Sequence, residues 1–470
     1  VTSKQRRPRV GGIMKIIGVV LLALLAAACT AGASESDSPG TTAQTTSLRS
    51  TSNPATTAAE TTTTPVAPAT EPADSGFCES TPGAPFVDED AVTLEPLATS
   101  GPLDVYAAEY PLPGPTDGLW SQWGQGIVSS VTGRHYSALG DHLGPDGNSH
   151  IYEYDPATRA LRRVGDVLAL VDHQPGAWGY GKIHAQMVED SCGSIWTFTY
   201  WGTRSDIEYG RGYEGDLLLE IEPAARTLRS HGALVGERGV PSLAITPDGR
   251  YLVGESVEAD TDDGDLVVFD TSTAAVTEVV DDPEHVGFRA LAVDSQGRVL
   301  YSTASGTLRA LIPETGETAD TGIVVPGDEP EFLRAATPVT SAGVFYGVSQ
   351  YSFDLFSVGG DGSVEVIGNA GEYTASLATT PEGDRVFWMP GAHGDAWQLG
   401  APILQLDTAT GEVTELVSLA EPFEERFGLL PGGTYSITYH EGSLIVGVNA
   451  SPLDDDSGFG TVVLVVVEGV

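Results

Sequence analysis

The sequence predicts an all-β fold, a seven-bladed β-propeller of four-stranded antiparallel blades, and three observations support it. One turn phrase recurs, its later copies keep a nearly constant spacing, and short alternating strands surround each copy. The six turns read DPATRALRR from Asp155, EPAARTLRS from Glu222, DTSTAAVTE from Asp270, IPETGETAD from Ile312, GGDGSVEV from Gly359 and DTATGEVTE from Asp407. From the third copy onward they follow one another every 42 to 48 residues, which is typical of a repeated supersecondary unit.

Each copy contains about four short β-rich runs, such as SLAIT, YLVGES, LVVFD and VTEVV. These runs alternate or are continuously apolar and are bounded by turn residues, and no stretch keeps a helical period for three turns. Four antiparallel strands per copy match one blade of a propeller. The innermost strands are expected to begin near Gly126, Ile183, Ser242, Ala290, Ala335, Ala375 and Ser436.

The seventh copy has no fourth strand of its own, because the sequence given stops after TVVLVVVEGV. An open edge of that hydrophobicity would invite aggregation. The run Leu103–Tyr110 (LDVYAAEY) is a spare strand near the other end. We therefore expect it to close the ring beside the C-terminal strand.

Two segments precede the propeller, which is assigned to residues 76–470. Residues 1–28 have a basic start and then an uncharged run, Ile16–Ala28, too short for a membrane span, as expected of an export signal. Residues 29–75 are rich in Ser, Thr, Ala and Pro, a composition that predicts a disordered tether.

The run LLAAA before Cys29 resembles the lipobox of bacterial lipoproteins, with Ala26 where that family prefers Leu. The resemblance implies that Cys29 is acylated and anchors the chain at the extracytoplasmic face of a bacterial cell membrane. An ordinary cleaved signal is the alternative, and Met14 is an alternative start.

Charge narrows the choice of partners. Residues 1–28 hold five of the 23 basic residues and none of the 65 acidic ones, so the rest of the chain carries a formal charge of −47. Such a surface repels nucleic acid and anionic membranes. We expect no nucleic-acid partner, contact with the membrane only through the anchor, and a monomer whose partner is an extracellular glycan or protein.

Two further cysteines, Cys78 and Cys192, follow Cys29. In an oxidising compartment they predict one disulfide, and two unrelated buried thiols are the alternative. The disulfide would join the segment before the first strand to the second repeat.

The repeats look like those of the broad YVTN/WD40-like group of bacterial propellers, and the resemblance covers Gly76–Val470. It implies ligand sites on the face that carries the loops entering the innermost strands and those joining second to third strands. The long second-to-third loops are 140–150, 200–215, 255–265, 390–400 and 449–460, whereas TASG and SQYS are short. An uneven rim of this kind predicts a cleft, although insertions are also tolerated where nothing packs.

The candidate ligand-binding residues lie where innermost strands start or in the loops around them. They are Lys182, Arg289, Arg334, Tyr373, Tyr435, Trp178, Trp201 and His393. Arg289 and Arg334 recur at matching positions in a chain with few cations, and Arg pairs bidentately with carboxylate or phosphate. We therefore expect an anionic ligand, such as the uronate groups of a polysaccharide. Pairing of these arginines with neighbouring Asp and Glu is the alternative.

His184, in GYGKIHAQM, is the candidate catalytic residue. A histidine beside cations can act as a general base, and a channel-lining histidine bonded to a backbone carbonyl is the alternative. Pectate-type and streptogramin lyases are similar in using a His near a cation or metal, and this likeness extends to His184 alone. His142 and His393 are only candidates for a second catalytic histidine.

Other aromatic residues crowd the same face, namely Trp120, Trp123, Tyr209, Tyr213 and Trp397. Such rings stack on sugars or dock peptides, but blades also bury them between sheets. No metal site is assigned and no particular cofactor is predicted, with a divalent cation such as calcium as an open alternative. ADTDDGD (259–265) and PLDDDSG (452–458) partly fit a calcium loop through Asp260, Asp262 and Gly264, but lack its distant Glu.

Three function classes therefore stay open. The leading one is an exported, lipid-anchored propeller that binds a glycan or polypeptide at its loop-rich face, without catalysis. The second is a lyase or hydrolase acting on an acidic polysaccharide with His184 as base. The third is a non-catalytic assembly scaffold.

Overall fold

The computed structural model describes residues 82–470, except 88, 114–118, 202–206, 208, 211, 258–263, 288, 329 and the side chain of residue 278. Within this part of the chain the fold is all-β, with seven antiparallel sheets. The export signal, the tether, Cys29 and Cys78 lie outside the described residues, so the predictions about them, including the disulfide to Cys192, stay predictions.

Four N-terminal strands precede the first blade: β1 (Ala84–Pro85), β2 (Val92–Thr93), β3 (Glu95–Ser100) and β4 (Leu103–Glu109). Blade 1 is β5 (Ile127–Val128), β6 (His135–Gly140), β7 (Ser149–Asp155) and β8 (Ala160–Asp166). Blade 2 is β9 (Val188–Glu189), β10 (Ile195–Phe198), β11 (Leu217–Glu222) and β12 (Thr227–Ala233). Blade 3 is β13 (Gly239–Ile245), β14 (Tyr251–Val257), β15 (Leu266–Asp270) and β16 (Ala275–Val280).

The remaining blades follow the same order of strands. Blade 4 is β17 (Ala292–Val293), β18 (Val299–Ser302), β19 (Thr307–Ile312) and β20 (Glu317–Val324). Blade 5 is β21 (Leu333–Ala336), β22 (Phe345–Ser349), β23 (Asp354–Val358) and β24 (Val364–Asn369). Blade 6 is β25 (Ala378–Thr379), β26 (Arg385–Trp388), β27 (Pro402–Asp407) and β28 (Val413–Ser418). Blade 7 begins with β29 (Leu429–His440), β30 (Ser443–Pro452) and β31 (Thr461–Glu468).

Helical structure is sparse in the described residues. Leu168–Leu170 and Ala396–Leu399 form single 3₁₀ turns, and α1 (Ala420–Phe427) precedes blade 7. None of the helices in this part of the chain is long and apolar enough to cross a membrane.

The recurring turn phrase joins the third and fourth strands in each of the first six blades, as the sequence predicts. The turn ends on a residue with positive φ, which is a residue other than Gly in three copies. These residues are Arg159, Arg226, Ala274, Gly316, Gly362 and Gly411. Where the turn begins with Asp, its carboxylate accepts a backbone N–H two residues on, as Asp155 does from Ala157 and Asp407 from Ala409. Local turn chemistry therefore sets this connection.

The spare N-terminal strand closes the ring, and that prediction is confirmed. β4 pairs antiparallel with β31, from Val463 opposite Glu109 to Glu468 opposite Asp104. It supplies the fourth strand of blade 7, so the first and last parts of the propeller share one sheet. The apolar β31 is therefore paired on both edges, with β30 on one side and β4 on the other, and has no exposed edge.

Three blades carry a fifth strand, which the sequence-based expectation of four per blade did not include. β1 pairs with β12, β2 with β8, and β3 with β4. The chain from Ala84 to Ser100 thus runs along the outer edges of blades 2, 1 and 7 in turn. These strands are short and mostly exposed, so they add little core.

The core lies between neighbouring blades. In β31 alternate side chains point to opposite faces: Val463, Val465 and Val467 pack with residues of blade 6, and Val462, Leu464 and Val466 pack with residues of blade 1. All six valine and leucine side chains are at most 3% exposed. A continuous apolar run is therefore required where a strand is covered on both faces.

Side chains on the innermost strands link blades that are far apart in sequence. Gln125 Nε2 donates to Ile437 O at 3.0 Å, and Gln125 Oε1 accepts from Ser376 Oγ at 2.8 Å. These bonds join blades 1, 6 and 7 around the axis and hold the start of each innermost strand in place.

Candidate ligand-binding site

Residues in or just before the innermost strands of six blades come together at one end of the channel. Eight residues surround a single cavity there: Trp123, Gln125, His184, Gln186, Arg289, Arg334, Ala375 and Tyr435. We call this space the mouth cavity. Four of the predicted site residues, His184, Arg289, Arg334 and Tyr435, share it, although as many as 251 positions separate them in sequence.

The mouth cavity is nearly filled by its own side chains. Its water-accessible volume is about 10 Å³, which is room for about one water molecule. A ligand larger than water must therefore displace a side chain to enter.

Trp123 is the centre of the aromatic contacts at the mouth. Its ring lies parallel to that of His184, with centroids 5.1 Å apart and planes 5° apart, and parallel to that of Phe459 at 5.1 Å and 12°. Tyr435 lies at 4.6 Å and His393 meets the ring edge-on at 5.9 Å. Trp123 Nε1 donates to Ser121 Oγ at 2.7 Å, which fixes the orientation of the indole.

Arg334 is a buried cation among phenols. It is 5% exposed, its Nε donates to the Tyr373 hydroxyl at 2.5 Å, and its guanidinium lies over the rings of Tyr373 and Tyr435 at 5.1 and 5.7 Å. Among the described residues no carboxylate lies within ion-pair distance of it. The alternative that Arg334 pairs with an acidic neighbour is therefore not supported in this part of the chain.

Arg289 approaches the same cavity from blade 4. Its guanidinium lies over the Tyr200 ring at 5.4 Å, and its backbone has φ +67°. A bulky side chain in the left-handed region costs of order 1–3 kcal/mol, and such positions cluster at functional sites. Both predicted arginines therefore line the same cavity.

Lys182 and the two predicted tryptophans form one flank of the mouth. Lys182 Nζ lies 5.0 Å from the Trp201 ring and 5.7 Å from that of Trp123. Trp201 packs edge-on against Trp178 at 5.3 Å, and both are buried in the core between blades 1 and 2. Trp178 and Trp201 therefore support the mouth and do not line the cavity.

The remaining predicted ligand-binding residues, Tyr373 and His393, stand at the rim. Their rings lie 5.9 Å apart, and His393 is exposed. Tyr373 reaches the cavity through Arg334, and His393 reaches it through Trp123.

His184 is a buried, neutral imidazole. Burial, together with the positive charges of Arg289, Lys182 and Arg334 and the neighbouring His142, lowers its pKa well below the ordinary value. Its Nε2 is buried without a hydrogen-bond partner among the described residues. A neutral imidazole with an open nitrogen can accept a proton or a hydrogen bond from a ligand. No hydrogen bond joins Nε2 to a backbone carbonyl of the described residues.

His142, one of the two candidates for a second histidine, lies behind Trp123 at 5.4 Å. Its Nδ1 lies 3.0 Å from Ser121 Oγ, and burial with the charge of Lys182 lowers its pKa well below the ordinary value. Both histidines are therefore neutral at pH 7, and Trp123 lies next to each of them.

Sequence reasoning named Trp123 only as one aromatic residue among many and missed Gln125, Gln186, Tyr200 and Phe459. The signal for Trp123 and the glutamines is present in the sequence, since WGQG at 123–126 stands at the same point of blade 1 as HAQM at 184–187 in blade 2. Phe459 lies in a loop insertion and has no repeat partner that would mark it.

Metal binding has no candidate among the residues described. No group of three or more His, Cys, Asp or Glu side chains is arranged there to hold an ion. Asp260 and Asp262 of the possible calcium loop fall in the range 258–263 that the structure does not describe.

Comparisons with known proteins support the fold. Virginiamycin B lyase from Staphylococcus aureus is similar with a TM-score of 0.50 and 9% identity over 77% of this chain and 99% of that one. A catalytically inactive histidine-to-alanine variant of that lyase, with quinupristin, matches at the same values. A streptogramin B lyase matches at 0.50 and 12% identity, over 77% of this chain and 97% of that one. No family model and no curated protein matches the sequence.

Proposed function

We propose that the mouth cavity binds a ligand that carries a carboxylate, and that Arg334 and Arg289 hold this group. The observation that carries the proposal is the environment of Arg334, a 95% buried cation that contacts the phenols of Tyr373 and Tyr435 and has no carboxylate within ion-pair distance among the described residues. A buried charge is costly unless it is paired, so an anion that binds beside it gains strongly. The uronate groups of an extracellular glycan fit this chemistry, since the aromatic rim also favours sugar rings.

The location of the protein is part of the same proposal. Export by residues 1–28 and an anchor at Cys29 would place the mouth outside the cytoplasm, where acidic glycans are found. Acylation is tested separately by labelling cells with a palmitate analogue. The protein should take up the label, and Cys29→Ala should not.

The binding proposal is tested by calorimetric titration with trigalacturonate. Arg334→Gln should lower the affinity at least tenfold, because a hydrogen bond to a charged group contributes about 1.5–3 kcal/mol, and Arg289→Gln should act in the same direction. Arg250→Gln is the matched control: it makes the same charge change in a turn between first and second strands, at the opposite end of a blade. Equal affinities in all four proteins would refute the proposal.

A second candidate, lyase activity, is favoured by the neutral His184 beside two arginines. In this scheme Nε2 of His184 takes the proton from the carbon next to the carboxylate, a carbon–carbon double bond forms, and the bond to the leaving oxygen breaks. The arginines would stabilise the negative charge that develops on the carboxylate. The three similar structures are lyases or lyase variants, and in one of them a histidine-to-alanine change abolishes catalysis.

Lyase activity is tested by following the absorbance of unsaturated product from polygalacturonate, with quinupristin cleavage as a second arm. His184→Asn should abolish turnover while binding of the ligand persists. Turnover that survives this change removes His184 from the mechanism.

A further inference from the structure

The long loop between β30 and β31 reaches over the mouth and ends in Phe459. This side chain is half-buried, lies parallel to Trp123 at 5.1 Å and meets His393 edge-on at 6.3 Å. It therefore lies with His393 at the outer side of the aromatic group around the mouth cavity.

The backbone on both sides of Phe459 is fixed. Gly458 has φ +71° and lies so close to Gly394 that a Cβ would come within 2.6 Å of its Cα. Gly460 N donates to Trp120 O at 3.2 Å. The loop base cannot swing outward without breaking these contacts, so the movable part is the Phe459 side chain.

Trp123 and Phe459 are held very differently. The Trp123 indole is tied to Ser121 by a hydrogen bond and is in contact with five other rings. The Phe459 ring contacts two rings among the described residues, those of Trp123 and His393. One aromatic pair changes an equilibrium by only about two- to tenfold, so Phe459 is the ring that a ligand can displace.

We propose that Phe459 is a side-chain gate, and that the ligand carries a flat ring which replaces it on Trp123 while the attached carboxylate reaches Arg334 and Arg289. The inference rests on the proposed carboxylate binding and narrows its ligand to ring-bearing carboxylates. Sugar acids and aromatic acids share this chemistry. Trp123 lines the mouth cavity, whose water-accessible volume is about 10 Å³ when Phe459 lies on the Trp123 ring.

The experiment compares wild type with Phe459→Ala, using three probes in calorimetry and stopped-flow fluorescence. The probes are digalacturonate, 4-hydroxybenzoate and succinate, which are a sugar acid, an aromatic acid and a ring-free dicarboxylate. Removal of the competing ring should raise the affinity for a ring-bearing probe about two- to tenfold and speed its association, and should leave succinate unchanged. The first two probes distinguish a sugar ligand from an aromatic one.

A matched control variant tests the loop itself. Leu453→Ala removes an apolar side chain from the same loop, 47% exposed, and should bind all three probes as wild type does.

The possible outcomes separate the two proposals. If Phe459→Ala binds ring-bearing carboxylates with equal or lower affinity than wild type, Phe459 is part of the wall and the gate is wrong. If neither protein binds any of the carboxylates, the proposed binding function is wrong and the gate falls with it. If succinate gains as much as the ring-bearing probes, the gate stands without the ring requirement, and the proposed ligand class is refuted.

Discussion

At the residue scale, Arg334 differs from the surface arginines of this acidic chain. Arg250 pairs with Asp270 at 2.9 Å and Arg298 with Asp294 at 2.7 Å, both in turns. Arg334 instead contacts two phenol rings in a nearly closed cavity. In a protein with so many carboxylates, Arg334 is thus held by aromatic faces and a phenol hydroxyl, with no acidic partner among the described residues.

His135 lies outside the proposed site and tests whether burial keeps a histidine of this protein neutral. It is 1% exposed, both ring nitrogens lack a partner among the described residues, and burial lowers its pKa to about 3. The unfolded chain therefore binds a proton below about pH 6.5 that the folded protein does not bind, and stability falls as the pH drops.

The free energy of unfolding of wild type should fall between pH 7.5 and pH 5, and in His135→Leu this fall should be smaller by about 2 kcal/mol. The reason is that over this range the imidazole of the unfolded chain takes up a proton, whereas that of the folded protein does not. Urea unfolding at both pH values measures it. A pH dependence identical to that of wild type would show that His135 is protonated in the folded state.

At the element scale, each turn between the third and fourth strands has one position with positive φ, where a residue other than Gly is strained. Ala274 has φ +50° at the end of its turn and is exposed, whereas the corresponding positions 316, 362 and 411 are glycines. A residue with a Cβ costs about 1–2 kcal/mol in this conformation, and Gly avoids that cost but is more flexible when unfolded.

Ala274→Gly should therefore stabilise the protein by about 0.5–1 kcal/mol, measured by denaturant unfolding. Ala157→Gly is the control, since Ala157 is exposed in the matching turn of blade 1 but has no positive φ. It should destabilise by a similar amount. A loss of stability in Ala274→Gly would contradict the strain argument.

At the scale of the whole molecule, one strand decides whether the ring closes. β4 buries Leu103, Val105 and Ala107 against blades 6 and 7, whereas β1 is exposed at both residues and β3 has three exposed and three half-buried residues. Closure should therefore depend on β4 and much less on the strands that precede it.

Two shortened chains test this. A chain beginning at Gly101 should keep a cooperative thermal transition with a lowered midpoint, and a chain beginning at Leu112 should aggregate or unfold without cooperativity because β31 has an open edge. Both lack Cys78, so any disulfide is lost equally. A chain from Leu112 that melts like the one from Gly101 would show that the ring closes without β4.

Much of the architecture follows from local patterns. The turn phrases, the alternating strands and the spare strand at 103–110 predict seven blades and their closure, because each depends on residues within a few positions of one another. The outer strands β1 to β3 escaped prediction, since two of them are only two residues long.

The sequence by itself determined the propeller, the face that carries the long loops and the recurrence of Arg289 and Arg334. Only the tertiary structure decided that these arginines share one cavity with His184, that Trp123 is the centre of its aromatic contacts and that Phe459 stacks on Trp123. The physical reason is that such contacts join residues up to several hundred positions apart, as Gln125 and Ile437 do across 312 positions. The closed ring of blades brings these side chains together, and no local sequence pattern predicts which of them are in contact.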